Sequence, residues 1–509
     1  MEHTDFPTPD GIVSGAESTS EFVTVDTHSG TVRGRWRNTP GGRGLEKSAA
    51  FLGIPFAQPP VGDNRFDAPV PVAPWEGVRD ALDFGATAQR GDPGVTLIPE
   101  PSIEGESTLN VNVFTPTPTQ AAPGNGLPVL VWIHGGGYFA GSPASPWYDG
   151  RNFNRDSVVT VTLSYRLGFD GFGWIEDAPS NRGVRDWLAA LEWVQDNISL
   201  FGGDPGHVTI AGQSAGGGAV LTLLGMEKAQ HLFRGVIAIS GALADTPLAK
   251  AEEFSRKYAG LLGVEPTRAG LSTKTETEHL VVQKDATKMD PSKLTEIIEE
   301  GLGLGPCVDG DLIMRPTIES LRMGVGSDKR LVIGSTDDEF TMAMGDAAKI
   351  LRWVPRSILM GKFGVPKHTR KQYLADNADV AAKGKANLAG RILTDLMFRR
   401  AVLNIADARG SAPTWIYRFS WPSGTFGFAE HCLDVPFFFD CLDGPAMVPL
   451  AGENPPQQLA DELHADAVRF IQGNEPTWPR YTQSEKTGRV YNVPSYTLPN
   501  AYASVVSLR

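Results

Sequence analysis

Short apolar runs alternate with amphipathic stretches along most of this chain. FVTVDTHSGTVRGRW, from Phe22 to Trp36, alternates apolar and polar residues across Ser29-Gly30, which predicts a β-hairpin. In AAFLGIPFAQPPVGDNRF, from Ala49, the prolines rule out a helix and predict a rigid path over the surface. LNVNVFTPT, from Leu109, reads as a short strand closed by prolines. LPVLVWI, from Leu127 to Ile133, is the first long buried strand, and SVVTVTLSYRLG, from Ser157, is another. Val208 to Ala211, GVIAIS from Gly235, KRLVIGSTDDEF from Lys329 and APTWIYRFSWP from Ala412 continue the series. Helical spacing appears between them. Trp187, Leu188, Leu191 and Val194 mark a helix over Asn181 to Asn197, with Asn181 and Asp186 suited to its start. Ala219 to Leu224 reads as the buried face of a second helix, and Leu459, Leu463, Ala467 and Phe470 line one side of a third, Gln457 to Gly473. Buried strands alternating with such helices predict an α/β fold, a large mostly parallel sheet with helices on both faces.

Some stretches stand outside that alternation. Residues 1–20 read as a flexible tail, and residues 21–509 as one enlarged domain with helical cap-like insertions at about 245–305 and 345–410. The first insertion is polar, with helical segments such as DPSKLTEIIEEGL; the second reads as surface-lying. FGFAEHCLDVPFFFD is predicted to be a loop. Gly301-Leu302-Gly303-Leu304-Gly305 resembles part of a nucleotide loop, but it follows a helix and lacks the full spacing, so no nucleotide is assigned to it.

Composition narrows the function. At 509 residues, 41% hydrophobic and 21% charged, the chain can bury a large core. With 46 basic against 59 acidic residues, its net charge of -13 argues against nucleic acid and anionic membranes as partners, and no Lys/Arg-rich block stands out against that balance. The opening MEHTDFPTPDGIVSGAESTSEF has acids and prolines where a secretory leader needs a basic start and an apolar run. The most apolar stretches stop short of the roughly 18 residues of a membrane span. A cytoplasmic location is therefore the expectation, with Cys307, Cys432 and Cys441 as reduced thiols. His431-Cys432 with Cys441 lacks a second close pair of ligands, so no metal is expected. The acceptor sequence Asn197-Ile198-Ser199 is expected to go unmodified.

Chemistry concentrates at HVTIAGQSAGGGAVLTLLG, from His207 to Gly225. Gly212-Gln213-Ser214-Ala215-Gly216 is a G-x-S-x-G where a strand gives way to a helix, a turn that presents a serine hydroxyl at the carboxyl end of a sheet. His134-Gly135-Gly136-Gly137 follows the first long strand, and a glycine loop there leaves backbone amides free to point at a developing oxyanion. A serine needs a base to take its proton, and imidazole suits neutral pH. Chain order in such sheets puts that base late, which leaves His368, His431 and His464. His368 lies in the charged segment PKHTRKQY and His464 in the terminal helix; His431, in a loop flanked by Phe426, Phe428 and Phe437, stands first among them. The orienting acid comes from Asp337, Asp338 or Glu339, among which spacing does not choose; for the other two a solvated acidic turn is the expectation.

The chain resembles the type-B carboxylesterases, the α/β-hydrolase family that includes bacterial para-nitrobenzyl esterases and cholinesterases. The resemblance is carried by FLGIPFAQPPVGDNRF, LNVNVFTP, WIHGGGYFAGS, LSYRLGFDGF, NRGVRDWLAALEWVQDNISLFGGDP, VTIAGQSAGG, GPCVDGDLIMRP, GSTDDEF and AEHCLDVPFFF, in that order over roughly residues 22–480. It implies a serine ester hydrolase without a cofactor, acting on small-molecule esters through Ser214, His431 and Glu339, with the amides of Gly136, Gly137 and Ala215 as oxyanion donors. Two positions depart from the family. Phe340 stands where glycine usually follows the acid, and Thr108 where secreted members have a cysteine. Phe139, Phe340, Met342, Met344, Phe426 and Phe428 neighbour the motifs and point to an apolar pocket. An amide or carbamate hydrolase with the same machinery, and a non-catalytic cholinesterase-like binding protein, are the alternatives.

Overall fold

A computed structural model describes residues 21–42, 44–91, 97–287, 303–345 and 347–509. The expected tail over 1–20, the DPSKLTEIIEEGL segment and the start of the glycine run at 301 lie outside the described residues. Fifteen strands follow in chain order: β1 (Phe22–Thr27), β2 (Gly30–Asn38), β3 (Lys47–Pro55), β4 (Val78–Asp80), β5 (Asn110–Thr115), β6 (Leu127–Ile133), β7 (Val159–Leu163), β8 (Gly203–Gln213), β9 (Gly235–Ile239), β10 (Thr246–Pro247), β11 (Cys307–Val308), β12 (Arg330–Thr336), β13 (Thr414–Phe419), β14 (Gly488–Tyr491) and β15 (Tyr496–Leu498).

Thirteen of them make one sheet in the order β1-β2-β3-β5-β7-β6-β8-β9-β12-β13-β14-β15, with β4 paired to β2; β10 and β11 form a separate ribbon. From β7 through β14 every pairing is parallel, and the first five strands of that order and the β14-β15 edge are joined by antiparallel ladders. The parallel centre is buried on both faces, which is why β6 and β9 within it read as unbroken apolar runs. Alternate residues serve opposite cores. Val129, Val131 and Ile133 enter one cluster with Val184, Trp187 and Leu191 of the Arg182–Asn197 helix, whereas Leu130 and Trp132 enter the other with Leu459, Leu463 and Phe470 of the Gln457–Ile471 helix.

Several local expectations need correction. The stretch from Ala49 runs over the surface only in its second half, residues 58–65: Ala49, Ala50, Phe51 and Ile54 are buried in β3, between β2 and β5, because the strand's one proline, Pro55, stands at its end. Asn181 precedes its helix without capping it; its left-handed backbone (φ 57°) turns the amide toward Cys307, whose N–H and carbonyl it bonds at 2.8 Å each. Asp186 is buried against Arg166 at 2.6 Å. The 345–410 region is helical, but it is not merely surface-lying. Leu388–Thr394 are all buried, and the segment has a core of its own around Leu359, Met360, Leu388 and Ile392. The loop from Phe426 contains a short helix, Val435–Phe438. The short strands β14 and β15 have no counterpart in the sequence reading.

Candidate active site

β8 delivers Ser214 to the carboxyl edge of the parallel sheet, and the Ala215–Leu224 helix leaves immediately after it. Ser214 has φ 58° and ψ −122°, a region that costs a residue with a side chain on the order of 1–3 kcal/mol. Surrounding hydrogen bonds hold it there. Its N–H donates to the Ile239 carbonyl (3.0 Å), and its carbonyl accepts from Gly218 (2.9 Å) and Ala242 (3.1 Å). The flanking glycines are required by space. A Cβ on Gly216 would lie 2.0 Å from the Ile133 carbonyl oxygen, and one on Gly212 would lie 2.4 Å from that of Gly216.

His431 reaches Ser214 from the opposite end of the sequence. Its Nε2 lies 3.0 Å from Ser214 Oγ, and its Nδ1 hydrogen-bonds the Glu339 carboxylate. The other Glu339 oxygen accepts the Thr336 N–H at 2.8 Å, and the side chain is fully buried. A proton on Nδ1 directed at that carboxylate leaves Nε2 as the acceptor facing the serine. Burial alone would favour the neutral ring; contact with Cys432 and the Glu339 carboxylate outweighs it and raises the imidazole's pKa well above its ordinary value.

Three acids that spacing could not separate have three different settings. Asp337 is buried and bonded to Arg418 (2.6 Å), and Asp338 is buried beside Arg391 (3.1 Å). Neither forms the solvated turn expected of it, because each faces an arginine rather than water. Only Glu339 meets His431. His368 is exposed, and the buried His464 ring bonds the Phe438 carbonyl (2.8 Å) and Asp156 (3.1 Å), so both lie apart from this relay.

Beside the serine runs the glycine loop. Gly136 and Gly137 have φ of 102° and 61°, and a Cβ on Gly136 would lie 2.1 Å from the Ala140 carbonyl oxygen. Among the described residues the N–H groups of Gly136, Gly137 and Ala215 donate to no protein acceptor. His134 anchors the loop: its ring stacks on Tyr165 (4.5 Å), its carbonyl accepts the Tyr165 hydroxyl (3.0 Å), and burial pushes its pKa down to about 4, so it is neutral.

The apolar candidates divide. Phe340 packs on His431 with centroids 5.1 Å apart, and Phe139 is 39% exposed beside Gly137. Phe426 and Phe428 pair with each other at 5.9 Å. Met342 sits half-buried in a 3-10 turn, whereas Met344 packs into the cluster around Leu388.

Three further residues join the site. Phe398, in a π-helical turn (Asp395–Arg399), lies 5.3 Å from the His431 ring and 5.5 Å from Phe340. Gln213 Nε2 lies 3.1 Å from His431 Nε2. Strand parity could have found it, since Gln213 shares the face of Ala211, toward the core that also holds Cys432. Glu430 is fully buried and accepts the His431 backbone N–H at 3.1 Å. All three cysteines are free and buried; among the described residues no group of His, Cys, Asp and Glu is arranged to hold a metal, and no helix is long and apolar enough to cross a membrane.

A serine on a strained strand-to-helix turn at the carboxyl edge of a mostly parallel sheet marks an α/β-hydrolase. Residues 21–495 match the carboxylesterase family. The para-nitrobenzyl esterase of Bacillus subtilis is 32% identical over 481 residues, covering 91% of this chain and 93% of that protein. The fumonisin B1 esterase of Sphingopyxis macrogoltabida is 31% identical, covering 86% and 82%. The solved structure of a Geobacillus stearothermophilus carboxylesterase superposes with a TM-score of 0.79 at 29% identity, covering 96% of this chain and all of the other. The chain belongs to the carboxylesterase family and is a carboxylic ester hydrolase.

Proposed function

We propose that ester hydrolysis proceeds through an acyl-enzyme on Ser214, with His431 as the proton carrier and Glu339 as its orienting acid. His431 Nε2 takes the Ser214 proton as Oγ attacks the ester carbonyl. The oxyanion that forms is held by the amides of Gly136, Gly137 and Ala215, groups with no other protein acceptor among the described residues. His431 then gives its proton to the departing alcohol, and a water molecule repeats the steps on the acyl-enzyme to release the acid. Losing one oxyanion donor in such a site typically costs about 3 kcal/mol of barrier, roughly a hundredfold in rate.

The observation that carries this reading is the unbroken relay from Glu339 through His431 to Ser214 Oγ, 3.0 Å from Nε2. Phe340, Phe398 and Phe139 favour small to medium apolar esters. Relatives of similar identity are named for different substrates, fumonisin B1 esterase and phenmedipham hydrolase among them, so acyl and alcohol preference is read from a hydrolysis panel. Ser214→Ala should abolish turnover and labelling by an organophosphonate while leaving the melting temperature within a few degrees of wild type. Retained turnover, or labelling at another residue, refutes the assignment.

A further inference from the structure

Between Ala347 and Ala375 the chain has seven Lys and Arg residues and no Asp or Glu, within a protein of net charge -13. They are dispersed rather than contiguous, and all but the half-buried Arg370 are exposed. The Ala348–Leu351 and Arg356–Lys362 helices turn Leu351, Leu359 and Met360 inward, onto Leu388 and Ile392 of the Lys385–Thr394 helix. Their outward residues are apolar too. Ile350 is 71% exposed, Trp353 77% and Ile358 52%. The Trp353 N–H bonds the Ile350 carbonyl (3.1 Å), so these two residues, three apart, share one side of the turn. The Arg352 guanidinium lies over the Trp353 ring at 5.0 Å. Arg356 and Arg370 donate to backbone carbonyls, and among the described residues Lys349, Arg352, Arg356, Lys367 and Lys371 form no ion pair.

We propose that this face docks on an anionic lipid surface, with Trp353, Ile350 and Ile358 entering the headgroup region and the basic side chains meeting the lipid phosphates. An exposed tryptophan under the Arg352 guanidinium, with exposed aliphatic residues close by in the chain and cations that form no ion pair among the described residues, matches both properties of such a surface at once. A second copy of the chain would bring cations against cations. A nucleic acid would satisfy the charges and leave three large apolar side chains in water. The docked helices pack on the Lys385–Thr394 helix, whose Arg391 reaches Asp338, the residue before Glu339. The docking rests on this surface alone; its use, meeting esters that partition into lipid, rests on the catalytic reading above.

The test is cosedimentation of the full chain with vesicles of equimolar phosphatidylglycerol and phosphatidylcholine, and with phosphatidylcholine alone. Wild type should bind the anionic vesicles at low salt, and much less at 1 M salt or without phosphatidylglycerol. Each cation at such a surface contributes about fivefold, so Lys349→Glu with Arg352→Glu should weaken binding at least about thirtyfold. Trp353→Ala should weaken it about tenfold. Both variants should keep the wild-type melting temperature and turnover of a water-soluble aryl ester. No binding of wild type to anionic vesicles at low salt overturns the proposal, as does binding unchanged in the variants. Capture of a tRNA probe that survives Trp353→Ala, without vesicle binding, reassigns the face to nucleic acid. A dimer dissolved by Trp353→Ala reassigns it to a second copy. Loss of esterase activity from wild type itself would count against the catalytic reading and leave the vesicle result standing.

Discussion

At Glu339 one carboxylate does two things to His431: it fixes which ring nitrogen bears the proton, and it stabilises the charged ring. Replacement by Gln separates the two. The Thr336 N–H keeps its acceptor, but an amide can donate to Nδ1, which puts the ring proton on Nε2 and disables it as a base. A fall in kcat of about four orders of magnitude is expected, by analogy with the acid of other serine triads. The pH profile moves as well. In the proposed mechanism His431 works deprotonated, so wild-type kcat/KM should rise with pH through a midpoint above the ordinary histidine value of about 6.5. Without the carboxylate, burial is opposed by the Cys432 contact and no longer by Glu339, so Glu339→Gln should shift the rising limb to lower pH. Asp338→Asn should leave the midpoint in place, because Arg391 already engages that side chain. An unmoved limb in Glu339→Gln, or a moved one in Asp338→Asn, would transfer the acid's role.

On the scale of an element, the site depends on how closely the Ala215–Leu224 helix approaches β6 and the glycine loop. Gly216→Ala would set a methyl 2.0 Å from the Ile133 oxygen and 2.7 Å from that of His134, both backbone atoms with little room to yield. Separating helix from strand should cost about 1–3 kcal/mol in stability and, by displacing Ser214, about a hundredfold in kcat. A variant of unchanged kcat would show that the turn tolerates the spread. This strand–turn–helix is legible in sequence because β6, β9 and the 208–211 stretch of β8 are apolar or β-branched runs and the glycines sit where a close approach needs them. β3 is less so, because its terminal proline weighs against a strand in any local window. Asp337 and Asp338 find their arginines 81 and 53 residues further on, a pairing that no local pattern carries. Phe398 is hidden for another reason. It lies in a helical stretch whose π turn shifts the phase by which a buried face is recognised, and it meets His431 only through the tertiary fold.

Taken as a whole, the molecule keeps two populations of buried and half-buried acids with opposite responses to pH. Burial opposes ionisation of Asp337 and Asp156, but their arginine and histidine partners outweigh it; Asp156 is held down at about 2 and Asp337 lower still. Their contribution to stability is complete above the ordinary aspartate value of about 3.9 and disappears as pH falls through the folded values. Glu430, Asp434 and Glu100 run the other way. Burial pushes them up to about 8, 7 and 7, and one oxygen of Glu430 has no partner among the described residues. Each binds a proton on folding at neutral pH, so stability should be greatest near pH 5 and fall as pH rises toward 8. Glu430→Gln tests this limb. The amide oxygen still accepts the His431 N–H, and nothing remains at that position to ionise. The drop in melting temperature between pH 5 and pH 8, followed by scanning calorimetry, should shrink by about 2 °C relative to wild type. Parallel curves for the two proteins would mean that Glu430 ionises in the folded protein as readily as in the unfolded chain, and that its burial beside His431 carries no proton.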